Sequence, residues 1–183
     1  ANKIKDVQPG PANSYWSLRS TWANLGNTPY RQYKQCGHEG GSHTPFIAYW
    51  PKVIEANTIT HQPGHIVDIA PTFLDILGID YPDSVEGFKT LPLHGQSLMP
   101  IFEGEERAEP EFFISGLDKF RMFRHGDYKI VRMNGGEWEL YNMKQDPSEI
   151  VNLAARIPEK VKELDAMYQE KWNGMGNGDI NLF

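Results

Sequence analysis

The sequence predicts an α/β arrangement that passes into α+β, on three observations. A short apolar run at 45–50 is followed by apolar residues at helical spacing from Ile66 to Leu77. Between 111 and 143 the apolar period shortens to two, with glycine-containing breaks between the runs. From Ile157 to Trp172 the helical period returns. An antiparallel meander with one amphipathic helix to cover it is a small α+β layer.

Taken in order, PFIAYW (45–50) is apolar and aromatic and is stopped by Pro51, which predicts a short buried strand. Pro63-Gly64 marks a turn. Ile66, Ile69, Phe73, Leu74 and Leu77 then fall on one helical face, and Gly78 is placed to end the helix. Asp68 near the start favours the positive end of the helix dipole, and Pro71 is early enough to be accommodated. Residues 81–104 are rich in Pro and Gly, and the charged stretch 103–111 is the candidate boundary between two parts. EFFISG, KFRMFRHGDYKIVRM and EWELYNM predict three or four antiparallel strands, with hairpin turns at 125–127 and 134–136. Asp146-Pro147-Ser148-Glu149 has the pattern of a helix N-terminus. A last helix is predicted over 158–172, its buried stripe made by Ile157, Val161, Leu164, Tyr168 and Trp172. The first thirty residues show no clean period, and the tail NGMGNGDINLF is rich in Gly and Asn.

Composition narrows the function. A hydrophobic fraction of 39% and a charged fraction of 23% fit a folded globular chain of 183 residues. The net charge of −6 and the absence of any basic run argue against nucleic acid as a partner. No apolar stretch reaches the ~20 residues needed to span a bilayer. One cysteine excludes an internal disulfide and leaves the compartment open.

The stretch YKQCGHEGGSHTPFIAYWP (33–51) concentrates the candidate chemistry. Cys36 would need a base to become a thiolate nucleophile, and His38 two positions away does not reliably face it, so a small packed residue is the simpler reading. His38, His43, His61 and His65 form two pairs with no second cysteine and no tight ligand spacing, which disfavours zinc. Gly40-Gly41 permits a positive φ or a close backbone approach, and so a sharp turn into the strand at Pro45. Lys34, on the near side of that turn, would then stand at the end of a sheet, where α/β enzymes place their ligands. An ammonium there, with three donors, is a candidate anion binder.

These residues resemble a known family. NTPYRQYKQCGHEGGSHTPFIAYWP is similar to the Lys-x-x-x-[Tyr/His]-Glu-Gly-Gly-x-x-x-Pro segment of the type I sulfatases of the alkaline phosphatase superfamily, and WANLGNTPYR is close to bacterial arylsulfatases. HQPGHIVDIAPTFLDILG resembles the family's helix, LPLHGQSLMPIFEGE its Gly-x-Ser-Leu-x-Pro loop, and RMFRHGDYKIV with WELYNMKQDPSEIVNLA its C-terminal strands and Asp-Pro-x-Glu turn. The likeness runs in unbroken order from about Trp22 to Trp172. It implies the C-terminal end of an alkaline-phosphatase-like α/β domain over residues 1–105. A small antiparallel sheet covered by a C-terminal helix would follow over 106–183.

The resemblance also implies an activity, the hydrolysis of sulfate esters of small molecules or glycans. Lys34 falls at the family's sulfate-binding lysine, five residues before Glu39. His38 stands where relatives carry Tyr or His, and Arg121 and Arg124 lie on a strand that in relatives faces the pocket rim. These three are expected substrate-binding residues. The family's nucleophile is a formylglycine made from Cys in Cys-x-[Pro/Ala]-x-Arg, and Cys36-Gly37-His38-Glu39-Gly40 does not match it. The early Asp-Asp pair and later Asp-Asn-Gly that hold Ca2+ do not occur either. Nucleophile, cation and their ligands are therefore expected in a preceding N-terminal part of the same polypeptide, and this chain alone is expected to be inactive. ISGLDKF (114–120) departs from the family's His-Glu-Gly-Asn pattern. Two other readings remain open: a phosphodiester or phosphonate hydrolase of the same superfamily, and a binding module without chemistry. A severed half should expose an apolar patch around Phe46 to Trp50, whereas a true module should not.

Overall fold

The computed structural model describes residues 19–108, 111–116 and 119–174. Residues 1–18 of the irregular start, Leu117 and Asp118 of ISGLDKF, and the tail from Met175 lie outside the described residues. In chain order the elements are α1 (Arg19–Gly26), α2 (Glu39–Ser42), a 3-10 turn (Ile66–Asp68) that runs into α3 (Ile69–Leu77), β1 (Ser84–Val85), β2 (Phe88–Lys89), α4 (Met99–Phe102), β3 (Phe112–Gly116), β4 (Phe120–His125), β5 (Tyr128–Met133), β6 (Glu139–Asn142) and α5 (Pro158–Gly174). They fall into two compact units, Ala1–Thr44 with Phe113–Phe183, and Pro45–Phe112.

The first unit is built on a four-stranded sheet in the order β3-β4-β5-β6. The β4–β5 hairpin turns at Gly126, whose φ of +58 suits glycine, and pairs Met122 with Val131 and Phe123 with Ile130. β5 pairs antiparallel with β6, setting Lys129 opposite Tyr141 and Ile130 opposite Leu140. Strand alternation sends Phe123, Ile130 and Leu140 to one face, where they form the core with Leu164 and Tyr168 of α5. All five are fully buried, each stabilising the fold by roughly 1.5–3 kcal/mol. Ile157, Val161 and Trp172 pack around them, so the predicted stripe of the last helix is the covered one.

The opposite face carries Met122, Lys129, Val131, Glu139 and Tyr141, and segment 36–39 lies on it. Gly37 is pressed against this face. A Cβ there would meet Val131 Cγ2 at 2.8 Å and Met122 Cβ at 3.0 Å. The sheet is thus a middle layer between α5 and the Cys36-containing segment.

In the second unit, Asp68 organises the start of the helical region. Its Oδ2 accepts from His65 N at 2.9 Å and from Arg107 Nη1 at 3.0 Å, while Oδ1 accepts from Gln96 N at 3.0 Å. Thr72 Oγ1 donates to Asp68 O and accepts from Leu98 N, which ties α3 to the loop before α4. Gly78 ends α3 at φ +62, as its position after the apolar stripe predicts.

Five expectations are corrected. Residues 45–50 are not a buried strand: they carry no strand pairing among the described residues, and Phe46, Ile47 and Tyr49 are 63%, 91% and 90% exposed. A strand needs a partner for its backbone groups, and the apolar run alone does not supply one. Phe73 and Leu77 of α3 are likewise exposed, so both predicted apolar faces of this unit stand open. Residues 19–26, without a visible period, form α1. Segment 146–149 is a turn and not a helix start: Glu149 N donates to Asp146 O, and the Glu149 side chain goes into the interior. Gly40-Gly41 does not lead into a strand but lies in the single turn of α2.

Candidate functional site

Segment 32–43 is held by α1, by its own turns and by the sheet. Asn27 Nδ2 donates to Gln32 O and Gly40 O, both at 2.9 Å, and Asn24 Oδ1 accepts from Gln32 N. Gly40 N donates to Arg31 O at 2.9 Å. The two glycines are needed for closeness and not for positive φ. A Cβ on Gly40 would lie 2.2 Å from Arg31 O, and one on Gly41 2.3 Å from Cys36 O. Lys34 sits between two non-glycine residues in the left-handed region, Gln32 at φ +66 and Gln35 at φ +69. Such backbone costs of order 1 kcal/mol per residue and persists only where its surroundings impose it. Lys34 itself is exposed, and among the described residues its ammonium has no hydrogen bond or ion pair.

Immediately after Lys34 the chain goes inside. His38 is 1% exposed and Glu39 is buried. Lys129 of β5 is fully buried, and its Nζ donates to Glu39 Oε1 at 2.6 Å. The same Nζ lies 2.8 Å from Oε1 of the fully buried Glu149, an ion pair whose angles fall short of a hydrogen bond. Glu149 Oε2 accepts from the backbone N of Glu39 at 2.8 Å, and His43 Nδ1 donates to Glu39 Oε2 at 2.9 Å. Burial pushes the Glu39 carboxyl up, but the His43 and Lys129 donors outweigh it and hold the group down at about 2.

A second cluster fixes His38. Its Nε2 donates to Glu139 Oε2 at 3.1 Å, and the Tyr141 hydroxyl donates to the same oxygen. Arg31 Nη1 donates to Tyr141 Oη and Glu149 O, each at 2.7 Å, and so joins the two clusters. The His38 donor, opposed by partial burial and aided by Tyr141 and Arg31, lowers Glu139 to about 2. Burial and the adjacent Glu139 carboxylate raise Tyr141 well above the ordinary phenol range. His38 Nδ1 is buried with no partner among the described residues.

The predicted site residues are thus not gathered in one place. Lys34 is open to solvent, while His38 is enclosed within the first unit. Arg124, by strand alternation on the Met122 face of the sheet, donates from Nε to Gly126 O at 3.2 Å. Arg121 is on the α5 face, its guanidinium 5.0 Å from the Trp172 ring centre and 5.9 Å from that of Tyr168. The sheet therefore separates the Arg121 side chain from segment 36–39. Cys36 is buried and free. Among the described residues no three His, Cys, Asp or Glu side chains converge as a metal site. No described helix is long and apolar enough to cross a membrane.

The sequence reading missed Lys129, Glu149 and Glu139. A signal existed for Lys129: it shares the strand face of Val131, and a lysine at an inward register position needs a buried anion. Glu149 shows only as the last residue of Asp-Pro-Ser-Glu.

Comparison with known proteins identifies the family. Residues 31–175 match the family described as N-sulphoglucosamine sulphohydrolase, C-terminal, and the chain belongs to that sulfatase family. It is 30% identical over 145 residues to arylsulfatase K of Bos taurus, covering 73% of this chain and 26% of the relative. It is 28% identical over 154 residues to an N-acetylglucosamine-6-O-sulfatase of Bacteroides thetaiotaomicron, covering 75% and 25%. A solved structure in complex with its substrate D-glucosamine-2-N,6-O-disulfate is similar at 27% identity and a TM-score of 0.52, over 72% of this chain and 29% of that one. The crystal structure of Ps i-CgsB shares the fold, with a TM-score of 0.67 at 22% identity over 80% and 32%. The fold is the C-terminal portion of the alkaline-phosphatase-like sulfatases. The chain spans about a quarter of the length of the curated relatives it matches.

Proposed function

We propose that this chain is the C-terminal part of a sulfuric ester hydrolase, and that it supplies Lys34 to the sulfate group of the substrate. The observation that carries the reading is the contrast within segment 34–39. An exposed, unpartnered ammonium stands between two left-handed residues, five positions before a carboxylate locked into the interior. Strain and anchoring at a site with no packing role fit a residue held in place for a ligand.

In the reaction, an ester R–O–SO3− and water give ROH, sulfate and a proton, with cleavage of the bond to the leaving oxygen. The part of this chain is electrostatic. The Lys34 ammonium donates to a non-bridging sulfate oxygen, orients the group, and offsets negative charge that grows towards the leaving oxygen. By analogy with the family, a formylglycine nucleophile and a divalent cation would be supplied from outside the residues of this chain. His38 acts through the backbone as a positioning residue, because its side chain is committed to Glu139. Arg124 is the better of the two arginine candidates for substrate contact, since it shares the sheet face on which segment 36–39 lies.

Within the whole enzyme, the part up to residue 105 would close the catalytic α/β domain and 106–183 would form the C-terminal subdomain, with the segment before Pro45 packed in one unit with the C-terminal sheet. The exposed Phe46, Ile47 and Tyr49 support this, because strand-forming residues without partners fit a sheet completed by preceding sequence. The substrate class is a sulfated sugar or related small molecule, by analogy with the relatives.

The test is hydrolysis of an aryl sulfate and of the matching aryl phosphate by the full-length protein and by this chain alone. The reading predicts turnover of the sulfate by the full-length protein only. A preference for the phosphate, or calcium-dependent sulfate hydrolysis by this chain alone, overturns it.

A further inference from the structure

We infer that Lys129 is a positioning residue for Lys34: its buried ammonium, gripping Glu39 and Glu149 together, fixes the segment that presents Lys34 to the substrate. The inference rests on the sulfatase reading and deepens it. Nothing in the sequence motif places Lys129 in the site. It lies 95 positions beyond Lys34 in the chain, on the middle strand of the β4–β5–β6 meander.

A buried ion pair is a weak source of stability, because desolvation of both charges cancels much of their attraction and an apolar pair often does as well. Lys129 is fully buried on the sheet face opposite the core, in register with Arg124 of β4 and Tyr141 of β6. Neutral side chains at all three positions together would fill the space without desolvating any charge, so stability alone does not call for the cluster. What an apolar residue cannot do is hold Glu39 in one place.

Glu39 is gripped by side chain and main chain at once. Its Oε1 accepts from Lys129 at 2.6 Å, its Oε2 accepts from His43, and its backbone N donates to Glu149 Oε2 at 2.8 Å. Lys129 in turn holds Glu149 in the orientation that receives that N–H. Between Glu39 and Lys34 the chain has no slack. Gly37 touches Val131 and Met122, and Cys36 O lies against Gly41 so closely that a single Cβ would collide. Gln35 and Gln32 are held in the left-handed region. A shift of Glu39 on the sheet is therefore passed along to Lys34, and misplacement of a catalytic donor by about 1 Å can cost on the order of a hundredfold in rate.

The cluster is also separate from the apolar core. The Lys129, Glu39 and Glu149 side chains meet on the face of the sheet opposite α5, away from the Phe123, Ile130, Leu140 core that stabilises the unit.

The experiment uses the full-length enzyme with Lys129→Met, and Glu149→Gln as a milder variant that keeps volume and hydrogen-bonding capacity. Each is made alone and combined with Lys34→Ala. Turnover of an aryl sulfate is measured well below each variant's Tm, and the labelling rate of Cys36 by Ellman's reagent is followed by peptide mapping. Cys36 is buried in the segment at issue, so it reports whether the segment has lifted. The inference predicts that Lys129→Met lowers kcat by about tenfold to a hundredfold with KM changed less than about threefold. In the Lys34→Ala background the further loss should be under about threefold, since coupled residues are not additive. Cys36 labelling should accelerate about tenfold or more in Lys129→Met and to a lesser extent in Glu149→Gln, because local opening sets its rate. Fully multiplicative losses with Cys36 labelling unchanged overturn the inference, since a purely structural lysine gives that result. Should Lys34→Ala leave turnover near wild type, the sulfate-binding role of Lys34 fails. The Cys36 rate then decides alone whether Lys129 fixes the segment.

Discussion

Lys129 Nζ and Glu39 Oε1 are 2.6 Å apart across the face of the sheet, with the Lys129 side chain wholly withdrawn from water and that of Glu39 nearly so. The pair joins a strand of the C-terminal meander to the one-turn helix that follows the candidate sulfate-binding lysine. Removing one member strands the other charge. Lys129→Met should leave Glu39 and Glu149 facing each other in the interior and destabilise the first unit by about 3–5 kcal/mol. Denaturant unfolding checks it. The triple variant with Glu39→Gln and Glu149→Gln should recover part of the loss, because no uncompensated charge then remains.

Acid should weaken the same contact. The Glu39 carboxyl is held at about 2, below its ordinary value of 4.5. A depressed folded-state pKa contributes stability that is present above the unfolded pKa and is lost as pH falls through the folded one. The predicted window is therefore pH 4.5 down to about 2, with a loss on the order of 3 kcal/mol from Glu39. Glu139, also held at about 2, acts in the same direction but is partly exposed, so its share is smaller. Glu39→Gln should flatten the acid limb of a stability-against-pH curve, and an unchanged limb would contradict the assignment.

Gly40→Ala should be damaging although its φ is not positive. The added Cβ falls 2.2 Å from Arg31 O and 2.3 Å from Gln32 O, both backbone atoms that cannot rotate away. A cost of about 1–3 kcal/mol is expected, with a parallel fall in activity as Lys34 moves. By contrast Gly26→Ala, with nothing within 4 Å, should be nearly silent. A thermal melt of each variant separates the two.

In the second unit the Arg107–Asp68 ion pair is buried on both sides. Arg107→Met should leave Asp68 unpaired and cost about 3 kcal/mol, whereas the more conservative Arg107→Lys should retain part of the contact. Arg107 Nη2 also donates to Pro63 O at 2.7 Å, a bond that a lysine cannot make at the same time as the Asp68 contact with the same planar geometry.

How much of this was legible in the sequence follows from what each signal measures. The meander and α5 were readable because alternation and the Ile157–Trp172 stripe report a face covered within the chain itself. Residues 45–50 have the composition of a buried strand, but composition records burial in the complete fold, and no described residue pairs with them. Lys34 was singled out through the family's Lys-to-Glu spacing; Gly40-Gly41 were legible as permitting positive φ or close approach, and the structure uses the close approach. Lys129, Glu149 and Glu139 were not, because their meeting with Glu39 and His38 is long-range: separations of 90, 110 and 101 residues carry no local pattern. The Asp-Pro-Ser-Glu turn misled for a related reason. Its glutamate is spent on Lys129 and not on a helix N-terminus.

The central claim is that Lys34 contacts the sulfate in the transition state. The direct measurement is kcat/KM for an aryl sulfate with the full-length enzyme and its Lys34→Ala variant, which leaves the buried clusters untouched. Loss of one preorganised donor predicts a fall of about a hundredfold or more, or ~3 kcal/mol, with an unchanged Tm. Turnover within about twofold of wild type would contradict the account, since an exposed, unpaired ammonium at this position would then have no part in the chemistry.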